Sequence, residues 1–369
     1  MQKKEKFKRK TNFTLVCKTS KVFTLFVLIA LCLPLVLTGC DNPTEYTGVG
    51  AYDPYQHPAG VRAKVFMLND SSGDPDGLTA VAHAVISKST QLVGLVGTSA
   101  GSRPNSGPDT AKEKHDQILK MAGVTDVPSY LGAATALVDT NTPIRSDGAL
   151  ALVEAAKNFV PPTAPPDSSG SYGFYQKLFV TVGGSLTDVA SAILIDPSII
   201  PNITLVWIGG NDYINNRPGE SNLMRDVNAA NVVFGSDVEI WQVPSNAYGR
   251  SYVSMTEMRR DLYPYGELGK WLFESFVGIY GTGFNMGETW SLGDNPLVLL
   301  TALMGAYGLD TGSSTYHSEE ARLFNADGSY NMANPNPNPN PRNIRVYDEL
   351  DTRTMIADFF AKMQGMFPL

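Results

Sequence analysis

The feature of this chain that most restricts its fold is an alternation between short apolar runs and longer segments with helical spacing. The runs "KVFML" (64–68) and "QLVGLVG" (91–97) have the length of buried strands. Three further runs, 177–184, 203–210 and 238–244, have the same character. Between the first two, apolar residues recur at intervals of three and four, as on one face of a helix: Leu78, Val81, Ala82, Val85 and Ile86. This alternation predicts an α/β fold, a single Rossmann-like domain with a mostly parallel central sheet flanked by helices.

An acid-rich loop, "LNDSSGDPDG" (68–77), follows the first predicted strand. In open α/β sheets ligands bind beyond the carboxyl ends of the strands, so this loop lies where a site is expected. One interpretation is a turn in which Asp74 or Asp76 caps the next helix. The other is a cation site, because crowded carboxylates such as that of Asp70 repel one another unless a cation or proton lies between them. An EF-hand is excluded, since Pro75 stands where glycine is required. Both interpretations stay open.

The first forty residues are typical of an export signal. A basic segment is followed by the apolar run "VFTLFVLIALCLPLVLTG" (22–39), and "LVLTGC" resembles a bacterial lipobox with Cys40 as the lipid-modified residue. The alternative is an uncleaved transmembrane anchor, because 18 residues can just span a bilayer. Either way we expect the body outside the cytoplasmic membrane, anchored to the cell envelope. All three cysteines lie within the first forty residues, so the body has no disulfides.

The charge of the chain restricts its partners. Of 29 Lys and Arg and 36 Asp and Glu residues, eight basic and one acidic residue lie in residues 1–40. The rest therefore carries 21 basic against 35 acidic side chains, a formal charge of −14. Such a field repels phosphate backbones and argues against nucleic acid, whereas it suits cations and neutral small molecules.

Composition divides the chain into three parts. Residues 1–40 form the signal, and the Gly- and Pro-rich residues 41–60 are typical of a flexible tether. Residues 61–369 form the domain, in which "NPNPNPNP" (334–341) cannot pair as a central strand and is predicted to be a surface loop. The sequence leaves the oligomeric state open, with a homo-oligomer among the alternatives.

Five segments in order resemble the calcium-dependent nucleoside hydrolases, the inosine-uridine preferring family. The first is the acid-rich loop between its strand and helix. The others are "VTVGGSLTDVASAILIDPSIIPNITLVWIGG" (180–210), "GESNLMRDVNAANVVF" (219–234), "WSLGDNPLV" (290–298) and "IRVYDELDTRTMIADFF" (344–360). The resemblance implies a nucleoside-hydrolase-like fold, a nucleoside or related glycoside as substrate, Ca²⁺ as cofactor and a role in purine and pyrimidine salvage.

The resemblance also implies roles for individual residues. Asp70 would activate the attacking water and bind the metal ion. The metal ligands would be Asp70, Asp74, Asp76, the carbonyl of Gly183, and Asp294. The substrate would be held by Asp76, Glu220, Asn222, Asn211 and Trp290. Carboxylates suit this chemistry, because breaking an N-glycosidic bond develops positive charge on the sugar.

Two departures from the family pattern bear on catalysis. The second Asp of the family's paired acids falls on Gly77, and the late His falls on Gly293, beside an extra Asn295. Two hypotheses follow. The chain is a metal-dependent hydrolase of N-glycosidic bonds, or it is a non-catalytic sugar- or nucleoside-binding surface lipoprotein that retains the fold.

Overall fold

An eight-stranded sheet forms the centre of the domain. The computed structural model describes residues 62–101, 104–161, 176–279, 287–303, 313–333 and 342–367. The sheet has the strand order β3-β2-β1-β4-β5-β6-β10-β9, and β7 and β8 form a separate antiparallel pair. The strands are β1 (Ala63–Asn69), β2 (Thr90–Gly97), β3 (Ser129–Leu131), β4 (Leu178–Gly183), β5 (Ile203–Ile208), β6 (Glu239–Val243), β7 (Tyr252–Ser254), β8 (Thr289–Ser291), β9 (Thr315–Glu320) and β10 (Asn343–Glu349). Only β9 in the large sheet is antiparallel to its neighbour, so the predicted mostly parallel α/β domain is confirmed.

Helices cover the sheet. They are α1 (Asp76–Ile86), α2 (Pro108–Met121), α3 (Asp147–Lys157), α4 (Thr187–Ile195), α5 (Ser221–Met224), α6 (Val227–Gly235), α7 (Ser245–Tyr248), α8 (Met255–Asp261), α9 (Gly266–Ile279), α10 (Pro296–Ala302) and α11 (Thr352–Met366). Side chains of β1 alternate between two apolar clusters. Val65 and Met67 pack in a cluster with α1, α10 and α11, whereas Phe66 and Leu68 pack with α3, α4 and α6. Burial on both faces explains why the central strands are continuous apolar runs in the sequence.

The order of the strands places a crevice beside β1. From β1 the chain moves outward to β2 and β3, and then returns to β4 on the other side of β1. Such a switch in direction opens a crevice at the carboxyl ends of the two central strands, the usual ligand position in open α/β sheets. Asn69 ends β1 and Gly183 ends β4, and the two are paired in register. The acid-rich loop therefore begins at the crevice.

The structure confirms the strands and helices expected along the chain, while several regions lie outside the described residues. The latter are the export signal with Cys40, the tether at 41–60 and the Pro/Asn-rich loop at 334–341. These three stay predictions. Within the described ranges, no helix combines the length and the apolar character needed to cross a bilayer.

Candidate functional site

Asp70 lies at the centre of the crevice. Its backbone N–H donates to the carbonyl of Gly183 across 2.9 Å, which extends the pairing of β1 with β4 by one residue. Its carboxylate is buried, and its Oδ2 lies 3.2 Å from Nε of Arg225. Burial raises the pKa of Asp70 well above its usual range, and the guanidinium of Arg225 opposes this. The charges of Asp294, Asp74 and Glu220 raise the pKa of Asp70 further.

Asn69 connects the end of β1 to Asp294. Its Nδ2 donates to Oδ2 of Asp294 at 2.9 Å, and its Oδ1 accepts from Oγ of Ser71 at 2.5 Å. Because the single hydroxyl hydrogen of Ser71 is used on Asn69, Nε2 of His115 donates to Ser71 Oγ, at 2.9 Å. Burial lowers the pKa of His115 to about 3, so the ring is neutral. A directed chain of hydrogen bonds thus runs from His115 to Asp294.

Two glycines allow the Asn69 side chain to occupy this position. A Cβ on Gly77 would lie 2.3 Å from Asn69 Oδ1, and a Cβ on Gly183 would lie 2.5 Å from Asn69 Nδ2. Gly77 stands where the family has its second paired carboxylate. The space next to it is filled by the amide of Asn69, so no side chain fits at position 77 without moving that amide.

Asp294 and Asp76 complete the acidic cluster. Asp294 is buried, and burial together with the charge of Asp74 raises its pKa to about 7, although the hydrogen bond from Asn69 opposes this. Asp76 lies in the first turn of α1, where its Oδ1 accepts from the backbone N–H of Gly77 at 2.9 Å. Burial and the neighbouring Asp74 also raise the pKa of Asp76. Neither Asp74 nor Asp76 caps α1 through its side chain, because Pro75 occupies the cap position. The turn-and-cap interpretation therefore does not account for these carboxylates.

Glu220 organises the next loop of the site. It caps α5, where its carboxylate accepts from the backbone N–H groups of Asn222 and Leu223 at 3.1 and 2.9 Å. It also accepts from Gly210 N–H and from the hydroxyl of Tyr248, both at 2.8 Å. These four donors use the acceptor positions of the carboxylate. Glu220 thus fixes the loop and Tyr248 rather than presenting a free oxygen.

The two expected asparagine ligands are also engaged by the protein. Asn222 Nδ2 donates to the carbonyl of Ile208 at 3.0 Å. Asn211 Nδ2 donates to the carbonyl of Arg217 at 2.8 Å, and its Oδ1 accepts from Ser245. Both side chains are partly buried and shape the loop that follows β5.

One cavity adjoins the acidic cluster, and a second adjoins Arg225. One of about 260 Å³ is lined by Asp74, Asp76, Tyr248, Tyr252, Trp290 and Gly293, among others. The second, of about 390 Å³, is lined by Ser99, Ala133, Ser185, Thr187 and Arg225, among others. Trp290 and Asp76 thus line the same cavity.

Asn295, the extra residue beside Asp294, is held by contacts with Thr79 and His83. Its Oδ1 lies 2.7 Å from Thr79 Oγ1, and its Nδ2 donates to Nδ1 of His83 at 3.2 Å. His83 Nε2 donates in turn to Asp358 on α11, at 2.8 Å. Burial lowers the pKa of His83 to about 4, which keeps the ring neutral in this chain of bonds. His83 is therefore a packed residue and is not exposed to a leaving base.

The residues present do not fit the calcium site that the resemblance implies. Among the described residues, no three His, Cys, Asp or Glu side chains are grouped as metal ligands. The expected set, Asp70, Asp74, Asp76, Gly183 and Asp294, is not assembled: Asp70 faces a guanidinium, Asp294 accepts from an amide, and the Gly183 carbonyl accepts from Asp70 N–H. At Asp70 and Asp294 a guanidinium and an amide N–H lie against carboxylate oxygens that a cation would have to bind.

Sequence reasoning missed Arg225 and the chain through Ser71 and His115. Arg225 follows α5 directly, within "GESNLMRDVN", and is a lone basic residue beside the family-like Glu-x-Asn segment. A single basic residue in an acidic chain could have marked Arg225 as a candidate site residue. Its position in the sequence, however, does not indicate that its side chain reaches Asp70. Asn69 and Ser71 are short polar residues at the end of a strand and in the turn after it, where such residues are common.

Comparison with known proteins agrees with this architecture. The model of the family "Inosine-uridine preferring nucleoside hydrolase" matches residues 71–356. No curated protein sequence matches the chain significantly.

Solved structures share the fold at low sequence identity. A plant nucleoside hydrolase is 18% identical with a TM-score of 0.61, over 82% of this chain and 99% of that one. A purine-preferring ribonucleoside hydrolase from Gardnerella vaginalis is 18% identical with a TM-score of 0.59, over 82% and 98% of the two chains. An inosine-uridine preferring nucleoside hydrolase from Bacillus anthracis is 15% identical with a TM-score of 0.56, over 81% and 99%. At these identities the likeness shows the fold.

The family match covers most of the chain, and it includes the described segments that carry Asp76, Glu220 and Asp294. The family consists of hydrolases that act on N-glycosyl bonds. The chain belongs to the inosine-uridine preferring nucleoside hydrolase family.

Proposed function

We propose that this chain hydrolyses the N-glycosidic bond of ribonucleosides or related ribosides, with Asp70 as the base toward the attacking water. The observation that carries the proposal is that Asp294 joins Asp70 and Asp76, which lie on the acid-rich loop and the first turn of α1, at the crevice beside β1. Burying several carboxylates close together does not stabilise a fold, because like charges repel one another. Their convergence is therefore better explained by chemistry on a substrate that becomes positive.

The electrostatics of the crevice suit this reaction. Cleavage of the bond between sugar and base passes through a state with positive charge on the sugar ring, which neighbouring carboxylates stabilise. Burial and the neighbouring carboxylates raise the pKa of Asp70, which makes its carboxylate a stronger base than that of an exposed aspartate. Asp70 would take a proton from water while the carbon–nitrogen bond to the leaving base breaks.

Other residues would position the substrate. Asp76 and Trp290 border the 260 Å³ cavity, so we assign them direct contacts with the sugar and base. Asn211, Asn222 and Glu220 fix the loops around that space through their hydrogen bonds within the protein. Gly293 stands where some family members carry a His that protonates the leaving base, so this chain favours substrates whose leaving group departs without that proton.

No step of the proposal uses a metal ion. The family is metal-dependent and usually uses Ca²⁺, but the residues of this crevice do not form that site, as described above. The residues of the chain themselves would therefore bind the sugar, orient the attacking water and accept its proton.

The test is sugar release by the purified full-length chain from p-nitrophenyl riboside and from a panel of purine and pyrimidine nucleosides. Nitrophenolate leaves without protonation, so the absence of the late His does not hide turnover. We expect release by the wild type and a loss of about a hundredfold or more in kcat for Asp70→Asn. Asp116→Asn, on the exposed face of α2, is the matched control and should keep its rate.

Two results would contradict the proposal. One is an Asp70→Asn variant as active as the wild type. The other is a folded wild type that releases no sugar from any substrate, which would favour the binding protein without turnover.

We also propose that residues 1–40 direct export and that Cys40 carries the lipid that anchors the chain to the cell envelope. The support is the basic and apolar pattern that ends in "LVLTGC". Expression of the wild type and of Cys40→Ser in a bacterial host, followed by fractionation and mass measurement of the mature N-terminus, tests it. A wild-type chain that begins at Met1 would overturn cleavage at this site.

A further inference from the structure

Arg225 brings a positive charge into the crevice beside Asp70. Arg225 follows α5, and its Nε lies 3.2 Å from Asp70 Oδ2. The Nε–H has no hydrogen-bond acceptor among the described residues, so the contact with Asp70 is a charge interaction rather than a directed hydrogen bond. The side chain is largely buried, with 18% of its surface exposed. Arginine is the residue that proteins commonly use in buried ion pairs, because its charge is spread over a planar group that is weakly hydrated.

The backbone around the guanidinium leaves room for it. A Cβ on Gly101 would lie 3.1 Å from Nη1 of Arg225, and a Cβ on Gly73 would lie 3.9 Å from Nη2. Gly101 has a φ of +114°, a conformation that other residues rarely adopt. The guanidinium therefore lies between glycine-containing loops, with one side toward Asp70 and the other toward the 390 Å³ cavity.

The second carboxylate of the crevice, that of Asp294, meets a neutral hydrogen-bond donor instead of a positive charge. Asp294 accepts a hydrogen bond from the Asn69 amide, whose orientation is fixed because its Oδ1 already accepts from Ser71. The amide also fills the space beside Gly77, where a further carboxylate would otherwise project. A guanidinium and an amide N–H thus occupy the positions next to the two acids between which the family places its cation.

We propose that Arg225, together with the Asn69 amide, replaces the divalent cation of the family, so that this chain binds no Ca²⁺ and its positive charge is carried by Arg225 itself. The guanidinium offers N–H donors to a sugar hydroxyl or to water in the adjoining cavity. Arg225 is then a binding and positioning residue for the proposed substrate. A guanidinium does not ionise bound water as a metal ion does, so Asp70 alone has to take the proton.

The first test is calorimetric titration of the full-length chain, freed of metal ions with a chelator, with CaCl₂. We expect no saturable heat and a Tm that changes by no more than about 1 °C at millimolar calcium, whereas a tightly bound ion would raise it by several degrees. Saturable binding of one Ca²⁺ per chain would overturn the inference. This measurement needs no turnover, so it remains decisive even if the proposed activity fails.

The second test restores the space for a cation. The double variant Asn69→Asp/Arg225→Ala removes the guanidinium and returns a carboxylate to the side of Asp294. We expect this variant, unlike the wild type, to bind Ca²⁺ saturably and to gain thermal stability from it. A folded double variant that ignores calcium would contradict the replacement, and Arg259→Ala, on an exposed part of α8, is the control for loss of any arginine. Should the double variant not fold, the wild-type titration decides alone.

The third test uses activity and rests on the proposed function. Sugar release by the wild type should stay within about twofold when a chelator replaces calcium, because no metal ion takes part. A drop of about a hundredfold on chelation would overturn the inference while leaving the hydrolase itself established.

Discussion

Asn69 donates to Asp294 over 2.9 Å, although 225 positions separate the two residues in the chain. The bond joins the end of β1 to the loop before α10, and both residues are buried. Since a carboxylate only accepts, the amide has a single orientation, with Oδ1 toward Ser71. The acidic cluster is thereby held by a polar network that begins inside the protein.

We expect Ser71→Ala to lower the free energy of unfolding by about 1–3 kcal/mol. The change leaves the Nε2–H of His115 without its acceptor and Asn69 Oδ1 without its donor, both in a buried site. Chemical denaturation measures the loss. Ser72→Ala is the matched control, because the Ser72 hydroxyl is buried without a hydrogen-bond partner among the described residues, and its removal should cost little. Equal losses for the two variants would contradict the network.

Gly77→Ala should destabilise the fold by about 1–3 kcal/mol through overpacking. The added Cβ would lie 2.3 Å from Asn69 Oδ1. The double variant Asn69→Gly/Gly77→Ala should lose less than the sum of the two single variants, by more than about 1 kcal/mol. Gly278→Ala, on α9 with open space around it, serves as control and should be neutral or slightly stabilising. Additive losses in the double variant would show that the two positions do not interact.

His115 should make the fold sensitive to acid. Its pKa falls from about 6.5 in the unfolded chain to about 3 in the folded one because of burial, so the unfolded state binds a proton first as the pH drops. The resulting stability is present above pH 6.5 and is lost progressively below it. The His115→Gln variant should therefore lose less stability than the wild type between pH 7 and pH 5, measured as the change in Tm. An equal fall in Tm for His115→Gln and the wild type over this range would contradict the prediction.

Tyr248→Phe should lower kcat/KM for sugar release by about three- to tenfold. The change removes the hydroxyl that donates to Glu220 at 2.8 Å, a bond worth about 1 kcal/mol, and Tyr248 also borders the cavity with Asp76. Steady-state kinetics on p-nitrophenyl riboside measures it. Tyr252→Phe is the control, because Tyr252 borders the same cavity with 61% of its surface exposed. A larger effect at Tyr252 than at Tyr248 would contradict this assignment.

The sequence was sufficient to predict the sheet because its strands are buried on both faces. Continuous apolar runs such as 203–210 and 177–184 leave few alternatives once helical segments separate them. The edge strands β3 and β9 were not predicted. The three residues of β3 form too short a run, and β9 (Thr315–Glu320) is polar and half-exposed, so neither has the pattern of a buried strand.

The sequence predicts a site residue only where a chemically suitable side chain stands at a position that is typical of ligand sites. Asp70 follows a strand directly, and the carboxyl end of a parallel strand is a known ligand position. Asp294 was placed beside this carboxylate only through the family resemblance. Arg225 was not predicted, because it reaches Asp70 from a position far along the chain. Spacing along a sequence carries no information about such contacts, and the amide of Asn69 became meaningful only when its neighbours at Gly77 and Gly183 were seen.

The chain of bonds from Asn295 through His83 to Asp358 ends on α11, which begins after the last strand of the sheet. Asp358 is also paired with Lys362 of the same helix, at 2.5 Å. Helix α11 thus holds Asn295, the residue next to Asp294, in place through His83, although α11 adds no strand to the sheet. A reading frame that stops after residue 349 would encode every strand among the described residues and still leave that acidic loop without its support.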